Sequence, residues 1–212
     1  MGNQCGFDAP KFDGVSVGFR RALWAVIAIN ALMFGVEMTA GALAGSQALQ
    51  ADALDFAGDT ATYAISLAVI GMSLGVRATA ALVKGLSLGA MGLWVFGATL
   101  YQLLYLGVPH AEIMGVVGLL ALAANVASVC LLMRYREGDA NVRSVWLCSR
   151  NDALGNIAVM LAAVGVWVSA TPWPDLLVAI IMAGLFLWSA FQIVRQALRE
   201  RREVESAGVA AE

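Results

Sequence analysis

Apolar stretches, each about as long as a bilayer is thick, follow one another along this chain with only brief polar interruptions. They run from about Phe19 to Ala44, Gln47 to Val76, Ala78 to Leu106, Ala111 to Met133, Ser144 to Ala170, and Pro174 to Ala197. A helix needs roughly 20 such residues to cross ~30 Å of hydrocarbon. Six crossings with short turns therefore take up residues 19–198, and Gly45-Ser46, Pro109 and the pair Pro172 and Pro174 mark turns between them. The pattern predicts an all-α membrane protein of six transmembrane helices. Residues 1–18 form an N-terminal tail and residues 199–212 a short charged tail of frayed or solvated helix. No C-terminal domain is expected.

Composition strengthens this reading. With 60% hydrophobic and 13% charged residues and a mean hydropathy of +0.78, the chain is too apolar for a soluble globular domain. A net charge of −2 gives no basic surface for nucleic acid. Cys5, Cys130 and Cys148 have no paired spacing, so free thiols are expected rather than a disulfide framework. The first 18 residues carry Asp8 and Asp13 without an apolar core, which excludes a cleavable signal peptide.

Charge then sets an orientation. All 13 Lys and Arg fall before or at the start of the first stretch, around the second and fourth turns, or at the end of the sixth stretch and beyond it. Lys11, Arg20 and Arg21 come first, and Arg77 and Lys84 flank the second turn. Arg134, Arg136, Arg143 and Arg150 surround the fourth; Arg195, Arg199, Arg201 and Arg202 close the series. The turns at Gly45, Pro109 and Pro172 have none. The positive-inside rule places both termini in the cytoplasm, as an even number of crossings requires.

The candidate chemistry lies in two of the stretches. Asp52, Asp55 and Asp59 are spaced three and four apart, so at about 100° per residue they share one helical face. An ionised carboxylate at membrane depth costs at least ~2.5 kcal/mol, so such a cluster needs a cation, protons or partner groups. In the fifth stretch Cys148, Asp152 and Asn156 repeat every four residues. Two helices that each present an i, i+4 pair can close four side chains around one ion, as tetrahedral zinc prefers. A thiolate among carboxylates favours zinc or cadmium over magnesium or calcium. Asp52 and Asn156 are read as supporting groups, Asn156 being an alternative fourth ligand. Asn30 and Asn125 are read as glue between helices. Glu37 is taken as a carboxylate facing water, His110 as a solvated loop residue, and Asp175 as an acidic residue favoured at a helix N-terminus.

At these residues the chain resembles the cation diffusion facilitator family. The likeness rests on Ser46 leading into Ala51-Asp52-Ala53-Leu54-Asp55 and Asp59, and on Asp152-Ala153-Leu154-Gly155. It implies that Asp55, Asp59 and Asp152 are metal ligands, and it puts Cys148 where the family has histidine. It further implies export of a divalent cation, zinc foremost and cadmium also, by antiport against protons. No prosthetic group is implied, and the assembly is a homodimer in a cell membrane of the bacterial inner-membrane kind. Without the cytoplasmic domain most members carry, that dimer is expected to form through the membrane helices. The alternative is an intramembrane metal enzyme of the alcohol phosphotransferase type, which shares the D-x-x-x-D pattern. That reading calls for an Asp-Gly-x-x-Ala-Arg stretch upstream of the aspartates, and none is present.

Overall fold

The structure, a computed structural model, describes residues 16–68, 74–105, 107–135 and 140–209, with the side chains of 74, 77, 105, 140–151 and 203–209 excepted. Among these residues there are six α-helices: α1 (Val17–Ala44), α2 (Gln47–Ala68), α3 (Leu74–Tyr105), α4 (Ala111–Leu132), α5 (Ala140–Ser169) and α6 (Trp173–Val209). A short 3-10 turn at Met133–Tyr135 extends α4. The protein is an all-α membrane protein. Every helix but α2 contains a segment long and apolar enough to cross a bilayer, and large side chains such as Leu32, Leu43, Trp167 and Trp188 lie exposed on the outside of the bundle.

α2 falls short of that standard because it carries three aspartates, and the packing answers the deficit. It touches α1, α3, α5 and α6, so its polar face is shielded by helices that do suit lipid. Around it α1 packs on α2 and α4, α4 on α5, and α3 chiefly on α6. The α3–α6 pairing is close because α3 presents glycine to α6. A Cβ on Gly85 would lie 2.8 Å from Val194 Cγ2, and one on Gly92 would lie 3.0 Å from Leu187 Cγ. Small residues at such contacts let helix backbones approach where lipid offers no hydrophobic drive.

The α1–α2 turn is equally tight. Gly45 closes α1 in the left-handed region (φ 67°, ψ 27°), and Ser46 N–H returns to Gly41 O at 2.9 Å. Glycine takes this conformation without a Cβ penalty. At the opposite end of α1, Ser16 caps the helix by accepting from Phe19 N–H at 3.1 Å.

The boundary between α2 and α3 differs from the sequence reading. The second apolar stretch was expected to continue to Val76, but α2 is described only to Ala68, and Val76 belongs to α3. No polar residue stands between Leu67 and Val76 except Ser73, so hydropathy alone cannot separate the two helices there. Lys84 was taken as flanking the turn between them. It lies ten residues into α3, roughly 15 Å along the helix at ~1.5 Å per residue. At the C-terminus α6 continues as helix to Val209.

Candidate functional site

α2 and α5 run antiparallel through the middle of the bundle. Asp59 lies twelve residues from the start of α2 and Asp152 twelve from the start of α5, so each is ~18 Å along its own helix, entering from opposite ends. They meet near mid-depth. The Asp152 carboxyl comes within hydrogen-bonding reach of both Asp55 and Asp59. All three line one cavity of about 480 Å³ between α2, α3, α5 and α6.

The cavity has a direction. On α2 its lining runs from Asp55 to Ile65, on α3 from Met91 back to Val83, and on α6 from Met182 to Ile193. It therefore extends from the carboxylates toward the end of the bundle that carries the chain termini. Lys84 stands in that lower portion, half-buried, with its Nζ donating to Ser66 Oγ at 3.2 Å. A loop cation by sequence is thus a cavity cation by structure.

The Gly45 end is closed by a polar knot. Asp175 of α6 is fully buried. Its Oδ1 accepts from Ser46 Oγ at 2.5 Å and Ala48 N–H at 3.1 Å, and its Oδ2 accepts from Gln47 N–H at 2.8 Å. Ser46 Oγ in turn accepts from Leu49 N–H at 3.0 Å. Gln47 donates to Gln102 Oε1 at 2.8 Å, Gln102 donates to Gly45 O, and His110 N–H reaches Ala44 O at 2.9 Å. Asp175 does sit in the first turn of α6, as read from sequence, yet the helix whose N-terminus it caps is α2. That partnership spans 129 residues, and sequence carries no sign of it.

A second network supports the aspartates from the α4 side. Asn125 Nδ2 donates to Asn156 Oδ1 at 2.8 Å, and Asn156 Nδ2 donates to Asp52 Oδ2 at 2.5 Å. All three are buried. Asn156 is spent on these bonds and does not line the carboxylate cavity. Asn125 does join helices, as expected. Asn30 donates to Asp59 Oδ2, though at a long 3.5 Å.

Glu37 is a correction. Read as a carboxylate facing water, it is 0% exposed and lies within hydrogen-bonding reach of the Asp52 carboxyl. Its position a few residues from the end of an apolar run suggested solvent. The missed signal is its spacing of seven from Asn30 on α1, which puts both on the buried stripe Asn30, Met33, Glu37 and Gly41.

His110 is exposed in its turn, as read from sequence. Among the described residues no three His, Cys, Asp or Glu side chains are drawn together closely enough to hold an ion. Cys148, the fourth member of the predicted set, has its backbone in α5, one turn before Asp152; its side chain lies outside those described.

Known proteins bear on this arrangement. Residues 23–200 match the cation efflux transmembrane domain. The chain is 27% identical over 198 residues to the zinc transporter ZitB of Escherichia coli, covering 87% of this chain and 63% of that protein. It is 28% identical over 183 residues to the metal cation efflux system protein CzcD of Cupriavidus metallidurans, covering 81% of this chain and 57% of that protein. The chain thus spans about three fifths of the length of these relatives.

Proposed function

This chain belongs to the cation efflux family, and from that premise we propose that it carries a divalent metal cation, zinc foremost and cadmium also, out of the cell by antiport against protons. The observation that carries the reading is one cavity, deep in a membrane bundle, into which α2 and α5 together place Asp55, Asp59 and Asp152. Carboxylates at that depth must be balanced by cations or protons, and the relatives are named for zinc and metal cation transport.

The ligands are Asp55, Asp59, Asp152 and Cys148. Metal binds the deprotonated groups, so metal and protons compete for the same atoms, and competition at one site couples the two flows. Asp52 is a supporting group: its oxygen is held by Asn156, which Asn125 holds in turn. With the basic ends of the bundle cytoplasmic, both termini are inside, the polar knot at Asp175 closes the outer side, and the cavity faces the cytoplasm. Exchange of that exposure for the opposite one moves the ion. The protein resides in a bacterial inner membrane as a homodimer.

The decisive experiment is reconstitution in proteoliposomes with an imposed pH gradient. Zinc accumulates when the lumen is acidic, and a pH-sensitive dye reports protons leaving as zinc enters. Zinc accumulation that persists after the gradient is collapsed by a protonophore rules out the antiport reading.

Lys84 enters this mechanism as a fixed positive charge below the site. Ser66, to which it is bonded, lies seven residues past Asp59, so its Nζ stands ~10 Å from the carboxylates along α2. A unit charge and a divalent ion at that separation repel by about 0.8 kcal/mol even at water's dielectric constant, and by more in the bundle. Lys84→Met is therefore expected to tighten zinc binding at least about fourfold, measured by calorimetry on the purified protein.

A further inference from the structure

A second cavity, about 740 Å³, opens on the outer surface of the bundle between α3 and α6. Its floor is a consequence of the glycines on α3. Gly85 and Gly89 contribute no side chain, and a Cβ on Gly89 would meet only Ala190, at 3.5 Å. The trench is walled by Leu86, Leu93 and Phe191, with apolar atoms making up nearly all of its lining. At one end stand Arg195, Arg199 and Arg202, all exposed. Their spacing of four and three puts them on one narrow face of α6. Glu200, the acidic neighbour, turns to the other side and accepts from Gln196 at 2.8 Å.

We infer that this groove binds an anionic phospholipid, one acyl chain lying in the trench and the phosphate held by Arg195, Arg199 and Arg202. Length supports the assignment. From Leu187, the groove's deepest α6 residue, to Arg199 is twelve residues, ~18 Å along the helix. That compares with the ~15 Å depth of one leaflet's hydrocarbon. The arginines then stand at headgroup level while the trench lies among the chains. Guanidinium matches a phosphate's oxygens bidentately and always carries charge. Basic residues at the end of a crossing face the leaflet richest in anionic lipid. A second copy of this chain fits less well, because a two-fold partner offers the same patch and brings three more arginines against these three.

The test is native mass spectrometry of the purified protein with dioleoyl phosphatidylglycerol and, separately, dioleoyl phosphatidylcholine. The glycerol lipid is expected to be retained at least tenfold more strongly, since each arginine near the surface is worth roughly fivefold in affinity. Arg195→Gln/Arg199→Gln/Arg202→Gln should remove that preference. Gly89→Leu, which fills the trench and leaves the arginines in place, should weaken retention of both lipids. Equal retention of the two lipids by the wild-type protein overturns the inference without any variant. So does undiminished retention in Gly89→Leu, which would reduce the site to a charged surface. Displacement of the lipid by millimolar inorganic phosphate, or a change of oligomeric mass rather than of bound lipid in the arginine variant, also overturns it.

Discussion

Asp59→Ala and Asp152→Ala are each expected to abolish zinc uptake into proteoliposomes, lowering the initial rate at least about a hundredfold. The two residues come from different helices and reach each other in the same cavity, so each variant removes one of the four proposed ligands. Loss of a group that merely orients a ligand typically costs 10–100-fold. Loss of a ligand costs more. Asp52→Asn, which leaves a side chain that still meets Asn156, is expected to fall in that milder range. Folding should survive the alanine variants, because removing a buried carboxylate also removes its desolvation penalty. In Asp59→Ala the residual cost is a partner lost by Asn30 and by Tyr63, about 1–3 kcal/mol. Cys148→His belongs to the same series: it replaces a soft sulfur by imidazole, so zinc transport is retained while preference shifts away from cadmium. Undiminished uptake in Asp59→Ala or Asp152→Ala would sink the ligand assignment, and unchanged selectivity in Cys148→His would remove the cysteine from it.

How much of this was legible in the chain depends on the range of the interaction. The number of helices and their order follow from local hydropathy, though the α2–α3 boundary does not, and the face shared by Asp52, Asp55 and Asp59 follows from helical periodicity. Both are properties of neighbouring residues. That Asp152 completes the cluster was inferred from matching spacings and matching depth, and the structure does bring it to Asp55 and Asp59. Partner choice was harder to read. Asn156 presented two readings, alternative ligand or interhelical bond, and only the placement of Asn125 and Asp52 around it shows the bond. Glu37 and Lys84 were misplaced for one reason: a charge near the end of an apolar run looks like a boundary residue. Whether it faces water or a bundle interior depends on which helices surround it. Glu37 is enclosed against Asp52, and Lys84 enters a cavity that four helices create.

Asp175 shows the same limit at its strongest, and its replacement is expected to have the largest effect on stability. Asp175→Ala should destabilise the protein by about 3 kcal/mol or more, since it strands three buried donors that each cost about 1–3 kcal/mol when unmet. The cause is specific. The first N–H groups of a helix have no partner within the helix, and those of Gln47 and Ala48 are buried at the α1–α2 turn and satisfied by this one carboxylate. Ser46 also loses its acceptor, and with it the geometry by which its oxygen caps Leu49. These groups are buried at the turn, so the α2 N-terminus is left with unmet donors and a partial positive charge. Asp175→Asn should be intermediate. Its amide oxygen can still accept, but its NH2 faces a donor where Asp175 offered an acceptor, which costs about 1–3 kcal/mol. Thermal unfolding in detergent measures the series, and a loss of ~10 °C or more is expected for the alanine variant. The knot also closes the Gly45 end of the bundle, so the same variant should admit a membrane-impermeant thiol reagent to a cysteine placed at Ala51. Asp175→Ala with an unchanged melting temperature would show that α2 is anchored by its apolar packing alone.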